Sequence, residues 1–331
     1  MSATLADWGE HRLLRRLQRF SPPAVVGDDG AVLKPEEGRS LVVTTDVLVA
    51  GVHFSEATTP PDAVGWRAMA ANLSDLAAMG ATPWAVTVGL SLPPHTEIAW
   101  VEALYGGMQR CLDRYGGAIV GGDLTRSPTP TLAITAFGQV DPGHILRRQG
   151  AQVGEAIMVT GYHGSARAGL ALLLGEMAAR EGGDRWIAAH QYPQPRLDVL
   201  PPLQALTLGA NIAAMDSSDG LADAVVQLCR ASGVGAALAT NQIPLDPDLI
   251  TAVGRDAALA WALYGGEDFE LVLCLPPPIA AALVAALGPP AAIIGTITAA
   301  LNVVIGEGDR LQPLDQAQGF QHFPPQKPCY S

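Results

Sequence analysis

The stretch VVTTDVLVAGVHF, residues 42–54, sets Asp46 inside a run of strand formers. An ionised carboxylate taken out of water is costly unless something pairs with it. Any fold that uses this strand must therefore bring Asp46 a partner. The same conflict recurs along the chain. Asp28 and Asp29 lie in VVGDDGAV, Asp75 in ANLSDLAAMG, Asp123 in IVGGDLTR, and Asp216 and Asp219 in AAMDSSDGLADA. Each sits at or near a strand end or helix start, beside Gly, Ser or Thr.

Taken singly, several of these acids have a local explanation. Asp219 before Gly-Leu suits a helix cap, Asp123 after Gly-Gly a turn, and Asp28-Asp29 a solvated turn. Asp75, flanked by Ala, Leu and Met in a helical pattern, resists that account, and Asp46 resists it most. Together the segments present hard oxygen donors on small-residue loops. That donor set suits Mg2+, which binds through carboxylates, waters and substrate phosphates. A carboxylate cleft that holds several Mg2+ ions and receives polyphosphate is the expectation.

Other phosphate-binding devices are missing. Lysine occurs only at Lys34 and Lys327, no GxxxxGK(S/T) loop occurs, and the VAIK, HRD and DFG set of protein kinases is absent. Metals and arginines must then neutralise phosphate charge, with Arg126, Arg147 and Arg148 as candidates. A formal net charge of -12 argues against a nucleic-acid-binding surface. Cys111, Cys229, Cys274 and Cys329 form no CxxC, which suggests neither a zinc site nor a disulfide framework and predicts a reducing, cytoplasmic setting.

Length and patterning point to two domains. At 331 residues and 49% apolar, the chain suits two ordinary cores. MSATLADWGEHRLLRRLQRF lacks a signal peptide's apolar centre and reads as an amphipathic helix with Leu13, Leu14, Leu17 and Phe20 on one side. Strands are expected at 41–49, 84–92, AIVGG and 131–140, with helices at 62–79 and 96–115. The polar stretch 141–155 marks the boundary, giving domains 1–145 and 146–331. Beyond it come the strand AIMVTG and helices at 165–180, 197–209 and 219–232. A strand near 212–216 and another over GGEDFELVLCL are also expected. Residues 276–306 are almost uncharged, but Gly288-Pro289-Pro290 splits them into pieces short of the ~20 residues of a membrane span. The mixture of elements without strict alternation predicts α+β architecture rather than a doubly wound sheet.

GDDGAV (27–32), TTDVLVAGVHF (44–54), NLSDLAAMGA (72–81), GGDLTR (121–126), RRQGAQVGE (147–155), DSSDGL (216–221), YGGEDFEL (264–271) and GFQHF (319–323) occur in that order over nearly the whole chain. As a set they resemble the thiamine-monophosphate kinase family of the aminoimidazole ribonucleotide synthetase-like superfamily. The resemblance implies a two-domain α+β (α/β) fold, an N-terminal sheet domain that dimerises, and a C-terminal α+β domain that completes the cleft. It implies transfer of the γ-phosphoryl of ATP directly to thiamine monophosphate, giving thiamine diphosphate and ADP, the last step of thiamine diphosphate biosynthesis. By position, Asp29, Thr44, Thr45, Asp46, Asp75, Asp123, Asp216 and Asp219 would hold Mg2+. Tyr105, Gly122, Asp123, Arg148 and Ser218 would contact ATP, and His53, Glu267 and Phe320 the thiamine phosphate. Gly30 and Ser217 depart from the family pattern without removing a ligand.

Three alternatives stand beside this reading. A selenophosphate synthetase would need a reactive Cys or selenocysteine and a lysine near the N-terminus, and no lysine precedes Lys34. A hydrogenase-maturation relative would not need His53 or the GFQHF ending. A non-catalytic metal- or nucleotide-binding module would bind ions without turnover.

Overall fold

Two mixed sheets organise the chain in the computed structural model, which describes residues 3–22, 31–207, 211–308, 310–315 and 318–320. The first half contains α1 (Leu5–Trp8), α2 (Glu10–Leu17), β1 (Ser40–Val49), α3 (Pro61–Ala78), β2 (Thr82–Leu92), α4 (Ile98–Tyr115), β3 (Ile119–Arg126) and β4 (Thr131–Val140). The strands form a sheet in the order β1-β4-β2-β3. β4 runs antiparallel to both neighbours, and β3 lies parallel to β2 at the edge.

Alternation decides which face of this sheet is covered. In β4, Leu132, Ile134, Ala136 and Val140 are buried, whereas the residues between them are only partly covered. Period-two burial of this kind marks a sheet packed on one face. The packed face carries the first core, which includes Leu73, Leu76, Leu104 and Met108 of α3 and α4. Leu13 and Leu17 of α2 join that core, and the ring of Phe20 packs 5.4 Å from that of Tyr105. The opposite face stays open. On β1 it presents Leu41, Val43 and Val47, with Val43 53% exposed.

The second half continues with β5 (Ala156–Val159), α5 (Ser165–Leu173), α6 (Asp184–Gln191), α7 (Leu200–Leu206), β6 (Ala213–Asp216), α8 (Leu221–Ser232) and β7 (Gly235–Ala239). It ends with α9 (Pro247–Val253), α10 (Arg255–Tyr264), β8 (Leu271–Leu275), α11 (Pro277–Leu287), β9 (Ala292–Thr298), β10 (Val303–Glu307) and β11 (Arg310–Pro313). Their order in the second sheet is β11-β10-β7-β9-β5-β8-β6, and only β7 and β10 pair in parallel. Every residue of β5, β6 and β8 is buried, because helices cover both faces there. One of the two resulting cores takes in Ala77 and Ala78 from the end of α3. Helix α3 thus belongs to both halves.

Several expected boundaries move, each for a backbone reason. The helix at 165–180 ends at Leu173, followed by Gly175 at φ 72°. The helix at 197–209 is a 3-10 turn, Leu197–Val199, leading into α7. The helix expected from 219 starts at Leu221, because Gly220 has φ 106° and cannot be helical. GGEDFELVLCL divides: only 271–275 is strand, and Glu267 (φ 62°) and Phe269 (φ 53°) occupy the left-handed region, which breaks a strand. Residues 276–306 form α11, β9 and β10, and no helix among the described residues is long and apolar enough to cross a membrane.

Two glycines set how closely α3 and α4 approach. A Cβ on Gly65 would lie 1.9 Å from the Leu104 carbonyl oxygen, and one on Gly107 would lie 1.8 Å from that of Asp62. Both obstacles are backbone, so neither can rotate away. Gly107→Ala is expected to destabilise the fold by about 1–3 kcal/mol or more through overpacking. Thermal unfolding of this variant checks it. An unchanged midpoint would show that the helices part without cost.

Candidate active site

The alternation of β1 points Thr44 and Asp46 toward α3, on the same side as buried Leu48. There the Thr44 hydroxyl donates a short hydrogen bond to Asp75. One residue earlier on α3, the Ser74 hydroxyl donates to Asp216 Oδ2 at 2.8 Å. Asp216 ends β6 and is 3% exposed; its other oxygen accepts from the Ser218 hydroxyl at 3.3 Å. The first sheet, the shared helix and the second sheet each deliver a carboxylate to one place.

The electrostatics record how crowded that place is. Burial pushes Asp46 from 3.8 up to about 7, and repulsion from Asp75 and Asp219 adds to it. Burial and repulsion from Asp75 push Asp216 up to about 7 as well, against the relief given by Ser74. Asp75 is raised by burial, partly offset by the Thr44 hydroxyl and the Arg148 guanidinium. Arg148 itself donates to Gln227 at 2.7 Å. Asp219 does not cap α8: the N-cap is Gly220, with no side-chain cap hydrogen bond. Among the described residues, no group of three or more His, Cys, Asp or Glu forms a ready-made metal cage.

A second cluster abuts the first. Glu267 sits on the loop between α10 and β8, and its N–H donates to the Ser218 carbonyl at 2.7 Å. Its carboxylate takes a short hydrogen bond from Arg67 Nη2 and lies 3.5 Å from His190 Nδ1. Arg67 Nη2 also donates to the His53 carbonyl at 3.3 Å. His53 follows β1, and its Nδ1 accepts from the Val49 N–H at 3.0 Å. Next to Glu267, Asp268 holds the start of α5 by accepting from Gly164 N–H (2.7 Å) and Ala166 N–H (2.9 Å). Glu270 is bound by Arg196 and Thr160.

Two expected site residues, Thr45 and Tyr105, lie outside this cluster. The Thr45 hydroxyl is on the open face, 2.9 Å from Thr135, because neighbouring strand residues point oppositely. It does not face Asp46. Tyr105, expected at ATP, is in the first core at 7% exposure against Phe20. Asp123 is an exposed residue of β3 rather than a turn residue. Gly122 beside it is required by packing, since a Cβ there would meet the Val88 carbonyl oxygen at 2.2 Å. Phe320 is 55% exposed. Asp29 lies outside the described residues. Arg67 and His190 were not expected. The signal for Arg67 was available: GWRAMA carries a lone charge in an apolar helix, as NLSDLAAM does.

A mixed two-sheet fold with an oxygen-only acidic cluster at its joint defines the class, and the matching family models agree. Residues 27–140 match the AIR synthase related protein N-terminal domain, and residues 152–306 match the C-terminal domain. Thiamine-monophosphate kinase of Synechococcus elongatus is 53% identical over 324 residues, 97% of this chain and 98% of that one. Thiamine-monophosphate kinase of Stenotrophomonas maltophilia K279a has a crystal structure with TM-score 0.77 and 36% identity, covering 89% of this chain and 94% of that one. AaThiL complexed with AMPPCP and TMP gives TM-score 0.72 and 30% identity, covering 92% and 96%. The chain belongs to the thiamine-monophosphate kinase family.

The raised carboxyls make a stability prediction for protein in chelator. A carboxyl whose folded pKa lies above its unfolded value favours folding below about pH 4 and withdraws that contribution as pH climbs toward about 7. Asp46→Asn removes one such group. It is expected to raise stability at pH 8 by about 1–3 kcal/mol, allowing for solvent around a half-buried group, and by less at pH 5. Urea titrations at the two pH values measure this. Equal effects at both would count against the burial penalty and the repulsion alike.

Proposed function

We propose that the protein transfers the γ-phosphoryl of ATP to thiamine monophosphate at the joint of the two sheets, releasing ADP and thiamine diphosphate. The observation that carries this reading is the convergence of Asp46, Asp75 and Asp216 from β1, α3 and β6, beside Glu267 and His53, in a chain 53% identical to a kinase of that name. A related protein was solved with AMPPCP and TMP together. The identity also favours the kinase over selenophosphate synthetase and hydrogenase-maturation chemistry, and over a module without turnover.

The donor set fits Mg2+. It is all oxygen, the mutually repelling carboxylates need a cation, and Mg2+ asks for only one or two carboxylates besides water and phosphate. Thr44, Asp46, Asp75, Asp216 and Asp219 would hold several ions, with Asp123 and Asp29 completing the set by their motif positions. Bound there, Mg2+ supplies positive charge between two polyanions.

The rest of the work is positioning. The acceptor is a phosphate, ionised near neutral pH, so its oxygen attacks without a general base. A bond forms between that oxygen and the γ-phosphorus, and the bond to the β,γ-bridging oxygen breaks with ADP as leaving group. Arg148, Ser218 and Gly122 line the nucleotide side. Glu267 meets the thiazolium charge, Phe320 offers an aromatic face to the same cation, and His53 reaches the acceptor phosphate. The cytoplasm, where ATP is available, is the compartment this reaction requires.

The open face of the first sheet fits a second copy of the chain. Leu41, Val43 and Val47 project from it in a row, and an apolar sheet face of this kind is normally covered. Val43→Glu together with Val47→Glu is expected to convert a dimer to monomer in sedimentation. A wild-type monomer at micromolar concentration would end this part of the proposal.

An ADP-release assay tests the reaction. Release should require both Mg2+ and thiamine monophosphate, and Asp46→Asn should lower kcat about a hundredfold or more while the fold survives. No release at millimolar Mg2+ with both substrates present would overturn the kinase reading.

A further inference from the structure

Arg67 lies on α3, 3% exposed, with its guanidinium spread over three segments. One nitrogen donates to the His190 carbonyl on α6, with His190 Nδ1 at 3.3 Å. The other donates to Glu267 and, at 3.3 Å, to the His53 carbonyl. His53 and Glu267 are far apart in sequence and belong to different halves of the molecule. A single buried side chain ties both to the helix that carries Asp75.

Stability alone is a poor reason for this arrangement. Burying a charged pair costs about as much in desolvation as it returns. Arg67 Nε has no hydrogen-bond partner among the described residues, nor has His190 Nε2. The network is therefore not saturated. The backbone of Glu267 is also held at φ 62°, a conformation that costs a non-glycine residue energy and that surrounding contacts must impose. Burial and the neighbouring guanidinium push His190 down to about 4, so its ring is neutral at ordinary pH. A neutral Nδ1 that accepts from Arg67 has no proton to give Glu267. The charged partner that holds the glutamate is then Arg67 and not His190, and Glu267 remains 33% exposed.

We propose that Arg67 is a positioning residue: it fixes the separation and direction of His53 and Glu267, and so sets recognition of the cationic, phosphate-bearing acceptor without touching it. This rests on the reading that those two residues meet thiamine monophosphate. Lysine is not an equivalent, since one ammonium cannot span the three acceptors that a planar fork reaches.

The test uses Arg67→Met, Arg67→Lys, Glu267→Gln and the Arg67→Met/Glu267→Gln double variant, with circular dichroism and thermal unfolding to establish folding. Both Arg67 variants should raise KM for thiamine monophosphate about tenfold or more, the loss of one charged hydrogen bond. KM for ATP should change far less. The double variant should lose less than the product of the two single losses, because the pair shares one interaction while Arg67 keeps a second contact at His53. Amide exchange across 264–268, measured without any ligand, should quicken in Arg67→Met. Equal rises in both KM values, multiplying losses in the double variant, or unchanged exchange would overturn the proposal. If the Arg67 variants do not fold, Glu267→Gln, on the partly exposed side of the pair, carries the test: an unchanged KM for thiamine monophosphate overturns it. The exchange result is independent of turnover, so failure of the clamp and failure of the kinase reading give different outcomes.

Discussion

Helix α3 is packed from both sides, and the site exists because of it. Its last turn supplies Ala77 and Ala78 to a core of the second sheet, while Leu73 and Leu76 serve the first. Gly65 lets α4 approach at backbone distance. With its position fixed by apolar packing and close backbone contact, α3 can carry polar groups aimed at both sheets. Ser74 donates to Asp216, Asp75 accepts from Thr44, and Arg67 donates to Glu267. Hydrophobic packing sets the distances, and the charged groups inherit them. Repelling carboxylates could not hold such a geometry unaided.

The buried acids divide by what surrounds them. Asp246 accepts from Arg185 and from the Trp186 indole, Glu270 from Arg196 and Thr160, and Asp268 from two backbone N–H groups at a helix start. These are structural acids with their partners inside the chain. Asp268 is nevertheless raised to about 7, much as Asp46 and Asp216 are. A raised pKa therefore does not identify the site. Asp268 also feels the repulsion of Glu270 and Glu267, but two backbone N–H groups offset it; Asp46 has no such relief from its burial and from Asp75 and Asp219, and only the Arg148 charge lowers Asp75. In the proposed function such a cluster would take its cation from solution.

Much of this was legible in the residues. Asp46 and Asp75 announced themselves because their neighbours are strand and helix formers that leave no room for a solvated turn. The covered face of β4 was written in its alternation. Legibility failed where the controlling interaction is distant in sequence. GGEDFEL reads as an extension of an apolar strand, yet Glu267 and Phe269 take left-handed backbone because Asp268 is claimed by α5 and the Glu267 N–H by Ser218. Tyr105 had no motif to place it, and its ring is absorbed by the packing of Phe20. Thr45 shared a motif with Asp46, but a strand sends adjacent side chains to opposite faces. Arg67 carried the same signal as Asp75, a lone charge on an apolar helix, with the opposite sign.

The two loops of the second half act as one piece. The Ser217 N–H donates to the Glu270 carbonyl at 2.9 Å, and the Glu267 N–H returns a bond to Ser218 at 2.7 Å. Buried His163 lies 3.0 Å from the Ser217 hydroxyl and closes the joint from behind. The acids of DSSDGL and the glutamate of GGED therefore keep a fixed spacing although they lie 48 or more positions apart in sequence, counting from Asp219 to Glu267. That spacing matters for a substrate with a cation at one end and a phosphate at the other. In the proposed reaction Glu267 would attract the ring, and the acidic cluster would repel the phosphate until cations neutralise it. Under that proposal, binding of the acceptor in the reactive direction and loading of the metal would become one condition, set by two backbone hydrogen bonds and a guanidinium rather than by any catalytic side chain.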